Sequence, residues 1–338
     1  MTERKRVDGK AAGGGVWIFC ELESGVPHGV VPELIGKGRE LADKSAASLS
    51  VVVFGHGLEA VGDGLARYPI DAVILADDPA LDPYRPEPYA AVLVDLIAAR
   101  RPDVVLAGAT AVGREFMPRA AARIETGLTA DCVDLDISPE GLLVQTCPSF
   151  GGNVMANIVC SVRRPQMVTV RHKVMRPAAA DRMRGAAIEC FDPAPESLRA
   201  RTRRLEWLPE TDGSGPHLAD ADIVVAGGRG MGGPEGFRLL ERLARRLGGV
   251  VAATRPAVDE GWAPPTRQVG QTGRTVRPKL YFAFGISGAV HHLVGMSSSG
   301  RIAAVNKDPS APIFSVADWG VAADAFEVIP AMLKELGE

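Results

Sequence analysis

From residue 16 to residue 107 the chain alternates short runs of apolar, often β-branched residues with longer amphipathic stretches. Residues 16–22 read as a strand. Residues 31–47 read as a helix with Leu34, Ile35, Gly38 and Leu41 on one face, at the three- and four-residue spacing of a helical stripe. Further strands are expected at 49–54, 72–75 and 104–107, with a helix over 88–101. Strands that are apolar throughout are those buried on both faces, so a parallel sheet covered by helices is expected. Beyond Ala130, the runs 132–137, 141–147, 155–160 and 166–171 look like short strands separated by Gly and Pro turns.

The rhythm restarts at 222–226, again a strand. Residues 234–247 form a helical stripe through Phe237, Leu240, Leu243 and Leu247, opened by Pro234 and stopped by Gly248 and Gly249. Strands follow at 250–253, 280–284, 302–305 and 313–316, and an amphipathic helix at 324–336 closes the chain. The pattern is that of two α/β domains, an N-terminal one over 1–207 and a C-terminal doubly wound one over 208–338. Between them, residues 163–206 hold eleven Lys/Arg against five Asp/Glu, a local net of +6, and the stretch runs into Trp207, Leu208 and Pro209. A solvated connector is the expected reading. The alternative is a basic strap lying on a partner or an anionic ligand.

Composition narrows the function. The 338 residues are 46% hydrophobic and 23% charged, with a net charge of −3 and 5% aromatics. That balance gives neither the basic field nor the stacking surface of a nucleic-acid binder. The most apolar stretch, 90–99, is broken by Asp95 and flanked by Arg100 and Arg101, too short to span a bilayer. The basic start of the chain is followed by an apolar run that ends at Glu21, too short for a signal core. Five scattered cysteines show no metal spacing and suit a reducing, cytoplasmic setting.

The candidate chemistry lies in the C-terminal half. Gly228-Arg229-Gly230-Met231-Gly232-Gly233 follows a strand and opens a helix, a place where backbone N–H groups favour a phosphate. The next strand ends in Thr254-Arg255 where an NAD enzyme carries an acid, which leaves a dehydrogenase fingerprint incomplete. The strand at 280–284 runs into Gly285-Ile286-Ser287-Gly288-Ala289-Val290-His291-His292, again suited to a diphosphate or to a plain capped turn. Gln268 to Gly273, Asn306 to Pro309 and Asp318 to Gly320 complete a set of polar or glycine-rich loops at the carboxyl ends of strands. The chain has no phosphate loop of the G-x-x-x-x-G-K-[ST] type, no zinc helix and no nucleophile elbow. A nucleotide-type cofactor with no acid, base or nucleophile beside it is the profile of a carrier.

The string LYFAFGISGAVHHLVGM…IAAVNKDPSAPIFSVADWGVAAD over 280–324, with QVGQTG at 268–273 and TRPAVD at 254–259, resembles the electron transfer flavoprotein α subunit. The resemblance covers the whole C-terminal domain and extends more loosely to the N-terminal half. It implies a chain that binds FAD and pairs with a β subunit as a heterodimer. Electrons would pass from a dehydrogenase or NADH to a quinone reductase, a ferredoxin or flavodoxin, or an acyl-CoA enzyme, as in fatty acid β-oxidation. The basic stretch would include a hinge on which the flavin domain swings. The segment TGLTAD at 126–131 resembles the branches tied to nitrogen fixation and flavin-based electron bifurcation.

Residue by residue, the resemblance puts Arg229, Thr254 and Arg255 against the cofactor, with the Arg255 guanidinium favouring an anionic reduced ring. Val269, Gly270, Gln271 and Thr272 would line the flavin, Thr272 near its N5 edge. Ser287, Gly288, Ala289 and Val290 would wrap the diphosphate. His292 would face the pyrimidine edge, with His291 beside it where many members carry Gln. Asn306, Asp324 and Ala325 would hold the adenosine. Arg255, Thr272 and His292 would tune the flavin with no substrate chemistry of their own, and no metal is implied. Two rivals remain: an NADP-dependent oxidoreductase with Arg255 on the 2′-phosphate, and a non-redox nucleotide-binding regulatory subunit.

Overall fold

A computed structural model describes residues 5–6, 14–149, 154–181, 185–206, 218 and 221–337. The chain divides into two compact units, 1–208 and 209–338. Trp207, Leu208 and Pro209, where the boundary is expected, lie outside the described residues, as do Arg182 and Arg184 of the basic stretch.

The N-terminal unit runs β1 (Lys5–Arg6), β2 (Val16–Cys20), the hairpin β3 (Leu22–Glu23) and β4 (Val26–Pro27), α1 (Val30–Lys44), β5 (Leu49–Gly55), α2 (Glu59–Leu65), β6 (Ala72–Asp77) and α3 (Pro86–Arg100). It continues with β7 (Val104–Gly108), α4 (Ala111–Arg123), β8 (Leu128–Cys132), β9 (Asp134–Ile137), β10 (Leu143–Ser149), β11 (Val154–Ile158), β12 (Gln166–Val170) and β13 (Ala187–Cys190). Eight strands form one parallel sheet in the order β1-β13-β6-β5-β2-β7-β12-β8. Every residue of β2, β5 and β7 is buried because helices cover both faces. Val16, Ile18 and Cys20 pack with Leu34 and Leu41 of α1, while Trp17 and Phe19 pack on the other face with Leu93 of α3 and Phe116 of α4. A small antiparallel sheet, β9-β10-β11, stands beside them.

The basic stretch is not a solvated connector along its length. Its β12 is buried at all five positions between β7 and β8, and β13 extends the opposite side of the sheet. A charge count over 44 residues averages the apolar strand with the arginines around it. The turn after β12 is held by Glu33 of α1, whose buried carboxylate accepts the N–H groups of Lys173, Val174 and Met175 at 2.9, 3.0 and 3.1 Å. Such a carboxylate is fully satisfied although it lies inside the protein.

The C-terminal unit runs β14 (Ile223–Gly227), α5 (Pro234–Leu247), β15 (Val250–Ala253), α6 (Arg255–Asp259), β16 (Leu280–Phe284), α7 (Val290–Leu293), β17 (Ile302–Asn306), β18 (Trp319–Ala322) and α8 (Ala325–Glu335). Its parallel sheet has the order β15-β14-β16-β17-β18. Gly248 ends α5 in the left-handed region at φ +67°, a conformation glycine adopts without strain. The strand expected at 313–316 is a tight 3₁₀ turn over Pro312–Ser315 instead, and the fifth strand is β18. Pro312 opens that turn, and Ile313 is fully buried beneath it. Asp318 then aligns β18 by accepting the Ile302 N–H at 2.8 Å.

Candidate functional site

The chain of the C-terminal unit moves outward from β14 to β15, then returns to the other side of β14 with β16. This reversal opens a crevice at the carboxyl ends of β14 and β16, the place where open parallel sheets bind ligands. The expected residues lie on the loops around it. Arg229 follows β14, Thr254 and Arg255 follow β15, residues 285–292 follow β16, Asn306 ends β17, and Asp324 and Ala325 follow β18.

Close backbone approach fixes these loops. The N–H of Gly228 donates to Phe284 O at 2.9 Å and that of Gly230 to Gly285 O at 3.0 Å. A Cβ on Gly228 would stand 2.3 Å from Gly285 O, and one on Gly230 2.7 Å from Gly285 Cα, so both positions require glycine. Gly288, at φ +85°, would place a Cβ 2.2 Å from Ile313 N. The turn over Pro312–Ser315 thus braces the 285–289 loop, and the Ile313 N–H donates to Ser287 O at 3.0 Å.

The polar loop 268–273 is stitched in from two sides. The Val269 N–H donates to Ala253 O at 2.9 Å, and the Gln271 N–H donates to His291 O at 2.7 Å. His291 Nδ1 lies 2.7 Å from Gln271 Oε1, and the Gln268 amide donates to the Thr272 hydroxyl at 3.0 Å. Gln271, Thr272, Ser287, Ala289, Val290 and His291 are exposed, whereas Val269, Gly270 and Gly288 are buried beneath them. On the far side the Asn306 amide donates to Ile286 O at 2.8 Å. Lys307 pairs with Asp324 at 2.8 Å. Lys307, and then the Phe326 N–H at the start of α8, hold the Asp324 carboxyl below the usual carboxylate range.

His292 is the most buried titratable group of the set. Its Nδ1 sits 3.1 Å from Val269 O, which keeps a proton on that nitrogen. Nε2 then accepts from the Tyr281 hydroxyl at 3.0 Å. Neither ring nitrogen is left to donate elsewhere. Burial pushes the His292 pKa down to about 4, so the ring is neutral near pH 7. Arg229 and Arg255 stay exposed at the rim, Arg255 meeting Asp259 one turn along α6 at 3.4 Å.

Two residues of this arrangement lie within segments the sequence analysis names but receive no role there. Tyr281 sits on β16, eleven residues before its partner, a spacing that carries no signature. Lys307 directly follows Asn306 at a strand end, which is the only signal that could have singled it out. Among the described residues no group of three or more His, Cys, Asp or Glu could hold a metal ion. Among the same residues no helix is long and apolar enough to cross a membrane.

Comparison with known proteins bears on both units. The family described as electron transfer flavoprotein domain matches residues 16–196, and that described as electron transfer flavoprotein FAD-binding domain matches residues 217–297. The electron transfer flavoprotein subunit alpha of Thermoanaerobacterium thermosaccharolyticum is 48% identical over 321 residues, 95% of this chain and 97% of that one. Protein FixB of Rhizobium meliloti is 45% identical over 325 residues, 94% of this chain and 92% of that one. The acryloyl-CoA reductase electron transfer subunit beta of Anaerotignum propionicum is 39% identical over 353 residues, 96% of this chain and 95% of that one.

Proposed function

The chain belongs to the electron transfer flavoprotein α-subunit family, and on that premise we propose that its C-terminal unit holds one FAD. The chain would work as a heterodimer with a β subunit, in a reducing, cytoplasmic compartment. The observation that carries this reading is the run of backbone N–H groups at Ser287, Gly288 and Ala289, which meet no acceptor among the described residues. Set in a glycine-braced loop at the sheet's switch point, they suit the diphosphate of a dinucleotide. The residues present fit the group.

When bound, the flavin supplies one- and two-electron redox chemistry, which no side chain lining this crevice can provide. The protein's part is to hold and tune it. Val269, Gly270, Gln271 and Thr272 offer a wall with an amide and a hydroxyl, and Arg229 and Arg255 offer positive charge at the rim. Asn306, Asp324 and Ala325 close the adenosine side, Asp324 ionised and oriented by Lys307. Neutral His292 has no N–H to spare, so negative charge on the ring would be balanced by Arg255 rather than by histidine.

The upstream donor we propose is a dehydrogenase or NADH, and the acceptor a quinone reductase, a ferredoxin or flavodoxin, or an acyl-CoA enzyme. FixB and acryloyl-CoA reductase relatives support the range, and electron bifurcation belongs to the same proposal. An NADP-dependent oxidoreductase or a regulatory nucleotide binder leaves the match along both units unexplained.

The test is a visible spectrum of the full chain co-purified with its β subunit during stepwise anaerobic reduction. Flavin bands that bleach through a red anionic form are expected, and two FAD per heterodimer would mark the bifurcating type. A colourless heterodimer that takes up no added FAD would overturn the reading.

A further inference from the structure

Two thiols of the N-terminal unit meet in its core. Cys132 ends β8, and Cys147 lies on β10, which crosses beside it. The Val133 N–H donates to Thr146 O at 2.8 Å, locking the two segments together. The sulfur atoms are 2.8 Å apart, inside the distance at which two unbonded sulfurs normally rest. A disulfide closes at roughly 2.05 Å, so only a small approach separates the dithiol from a bond. Cys132 is 0% exposed and Cys147 8%. They belong to the same apolar core as Leu135, Leu143, Val168 and Val170, with the Arg171–Asp131 ion pair beside them and the Cys147 sulfur 3.5 Å from Ala130 O.

We propose that Cys132 and Cys147 form an oxidisable dithiol site whose substrate class is a small uncharged hydroperoxide. Burial of this depth excludes bulky disulfide reagents, and a molecule close to the size of water is the oxidant that reaches the sulfurs with least disturbance. Cys147 is the entry point because it alone has exposed surface. Its sulfur attacks the peroxide, the O–O bond breaks, the alcohol or water leaves with one oxygen, and Cys147 carries a sulfenic acid. Cys132 then attacks that sulfur and water departs. Two S–H bonds are lost, one S–S bond forms, and the peroxide takes up both electrons and both protons. A dithiol reductant reverses the step.

Burial, then the neighbouring thiol and the Asp131 carboxylate, raise the Cys132 pKa, and the Arg171 guanidinium beside Cys147 is already paired with Asp131, so Cys132 thiolate is scarce near neutral pH. Closure is therefore slow at pH 7 and accelerates about tenfold per pH unit as thiolate grows. Once made, the link closes a loop between positions fifteen residues apart and ties the β9-β10-β11 sheet to the last strand of the large sheet. The thermal midpoint of the N-terminal unit should rise by several degrees.

The experiment treats the full folded chain with hydrogen peroxide at pH 8, alkylates it in denaturant and cleaves it after Glu140, which lies between the two cysteines. The expected result is a linked pair of fragments holding Cys132 and Cys147, lighter by two hydrogens. The thiol count should fall from five to three. Cys160→Ala should leave the link intact. Cys132→Ser should trap a sulfenic acid on Cys147 that a dimedone probe captures, and Cys147→Ser should leave Cys132 unlabelled. Retention of five thiols in the wild-type chain, or a link made through Cys160, overturns the proposal. A dimedone adduct on Cys132 in the Cys147→Ser chain overturns the assigned entry point. The wild-type and Cys160→Ala chains decide the matter even where a buried serine impairs folding.

Discussion

Each unit has a parallel sheet in which the chain leaves a strand on one side and later returns to its other side, between β14 and β16 in one unit and between β2 and β7 in the other, and the two reversal points are furnished differently. In the C-terminal unit the reversal between β14 and β16 is lined by Gly228, Gly230, Gly285 and Gly288, with N–H groups on the 287–289 loop that meet no acceptor among the described residues. In the N-terminal unit the reversal between β2 and β7 is filled by the chain itself. Glu21, directly after β2, accepts the hydroxyl of Thr110, and Thr110 in turn caps α4 by accepting the Gly113 N–H at 3.0 Å. The positive end of α4, thirteen residues long, thus already faces a carboxylate. A strand order that creates a crevice does not by itself create a ligand site. What the first residues beyond the strands offer decides whether the crevice stays open.

The largest break of this contrast should come from the glycine brace. Gly288→Ala adds a Cβ at φ +85° and 2.2 Å from a backbone nitrogen. It should cost the C-terminal unit about 3 kcal/mol or more and release flavin. Retention of flavin together with calorimetric unfolding would read it, and an unchanged midpoint would remove the brace from the account.

Acid should sharpen the contrast next, because the two reversal points respond with opposite signs. His292 has its folded pKa lowered to about 4 by burial, so the unfolded chain takes up the proton first. The stability it preserves is complete above about pH 6.5 and is lost as pH falls toward 4, about 3 kcal/mol in all. Glu21 has its folded pKa raised, chiefly by burial, and contributes stability below the ordinary carboxylate value that fades as pH rises. Denaturant melts of the two units from pH 7 to pH 4 should show the C-terminal transition weakening more. His292→Gln should flatten that slope.

Smaller still, Glu21→Gln keeps an acceptor for Thr110 and removes the charge that burial opposes. It should stabilise the N-terminal unit more at pH 7 than at pH 4, because protonation of the native carboxyl removes the same charge. Equal gains at both pH values would rule out the charge as the cause. Least disturbing of all is Arg255→Ala. Its guanidinium side chain is 65% exposed and its ion pair with Asp259 lies on the surface, so stability should change by less than about 0.5 kcal/mol. Under the FAD reading the variant should nonetheless show a lower yield of red anionic flavin in anaerobic titration.

The C-terminal unit is the more legible half of the sequence. Pro234 and Gly248 punctuate α5, and the apolar runs of β15 and β16 stand between polar loops, so element limits coincide with composition. The glycine loops announce themselves for the same reason, since only glycine permits their close approach. β18 does not announce itself. All four of its residues are exposed, and an edge strand without a buried face has no hydrophobic rhythm to detect. In the N-terminal unit the buried stripe of α4 (Gly113, Phe116, Met117, Ala120 and Ala121) is built largely of small residues and is interrupted in the sequence by Pro118, while α2 is only seven residues long. Pairings such as Glu21 with Thr110, 89 residues apart, arise from the assembled sheet and leave no local trace. The loops after β14, β15, β16 and β17 stand at strand ends as expected, whereas Asp318 to Gly320, expected at one, leads into β18, and the link between Tyr281 and His292 depends on the turn that folds α7 back over β16.

The position of β12 also sets an order of events during synthesis. In the C-terminal unit β16, β17 and β18 are laid side by side in the order in which they leave the ribosome. In the N-terminal unit β8 emerges some forty residues before β12, the strand that joins it to the sheet. A nascent chain ending before residue 166 therefore carries β7 with one bare edge and β8 with no place in the sheet. Translation that pauses in this interval holds an apolar, half-built sheet in contact with its neighbours, the state in which strand edges recruit one another and chaperones are needed.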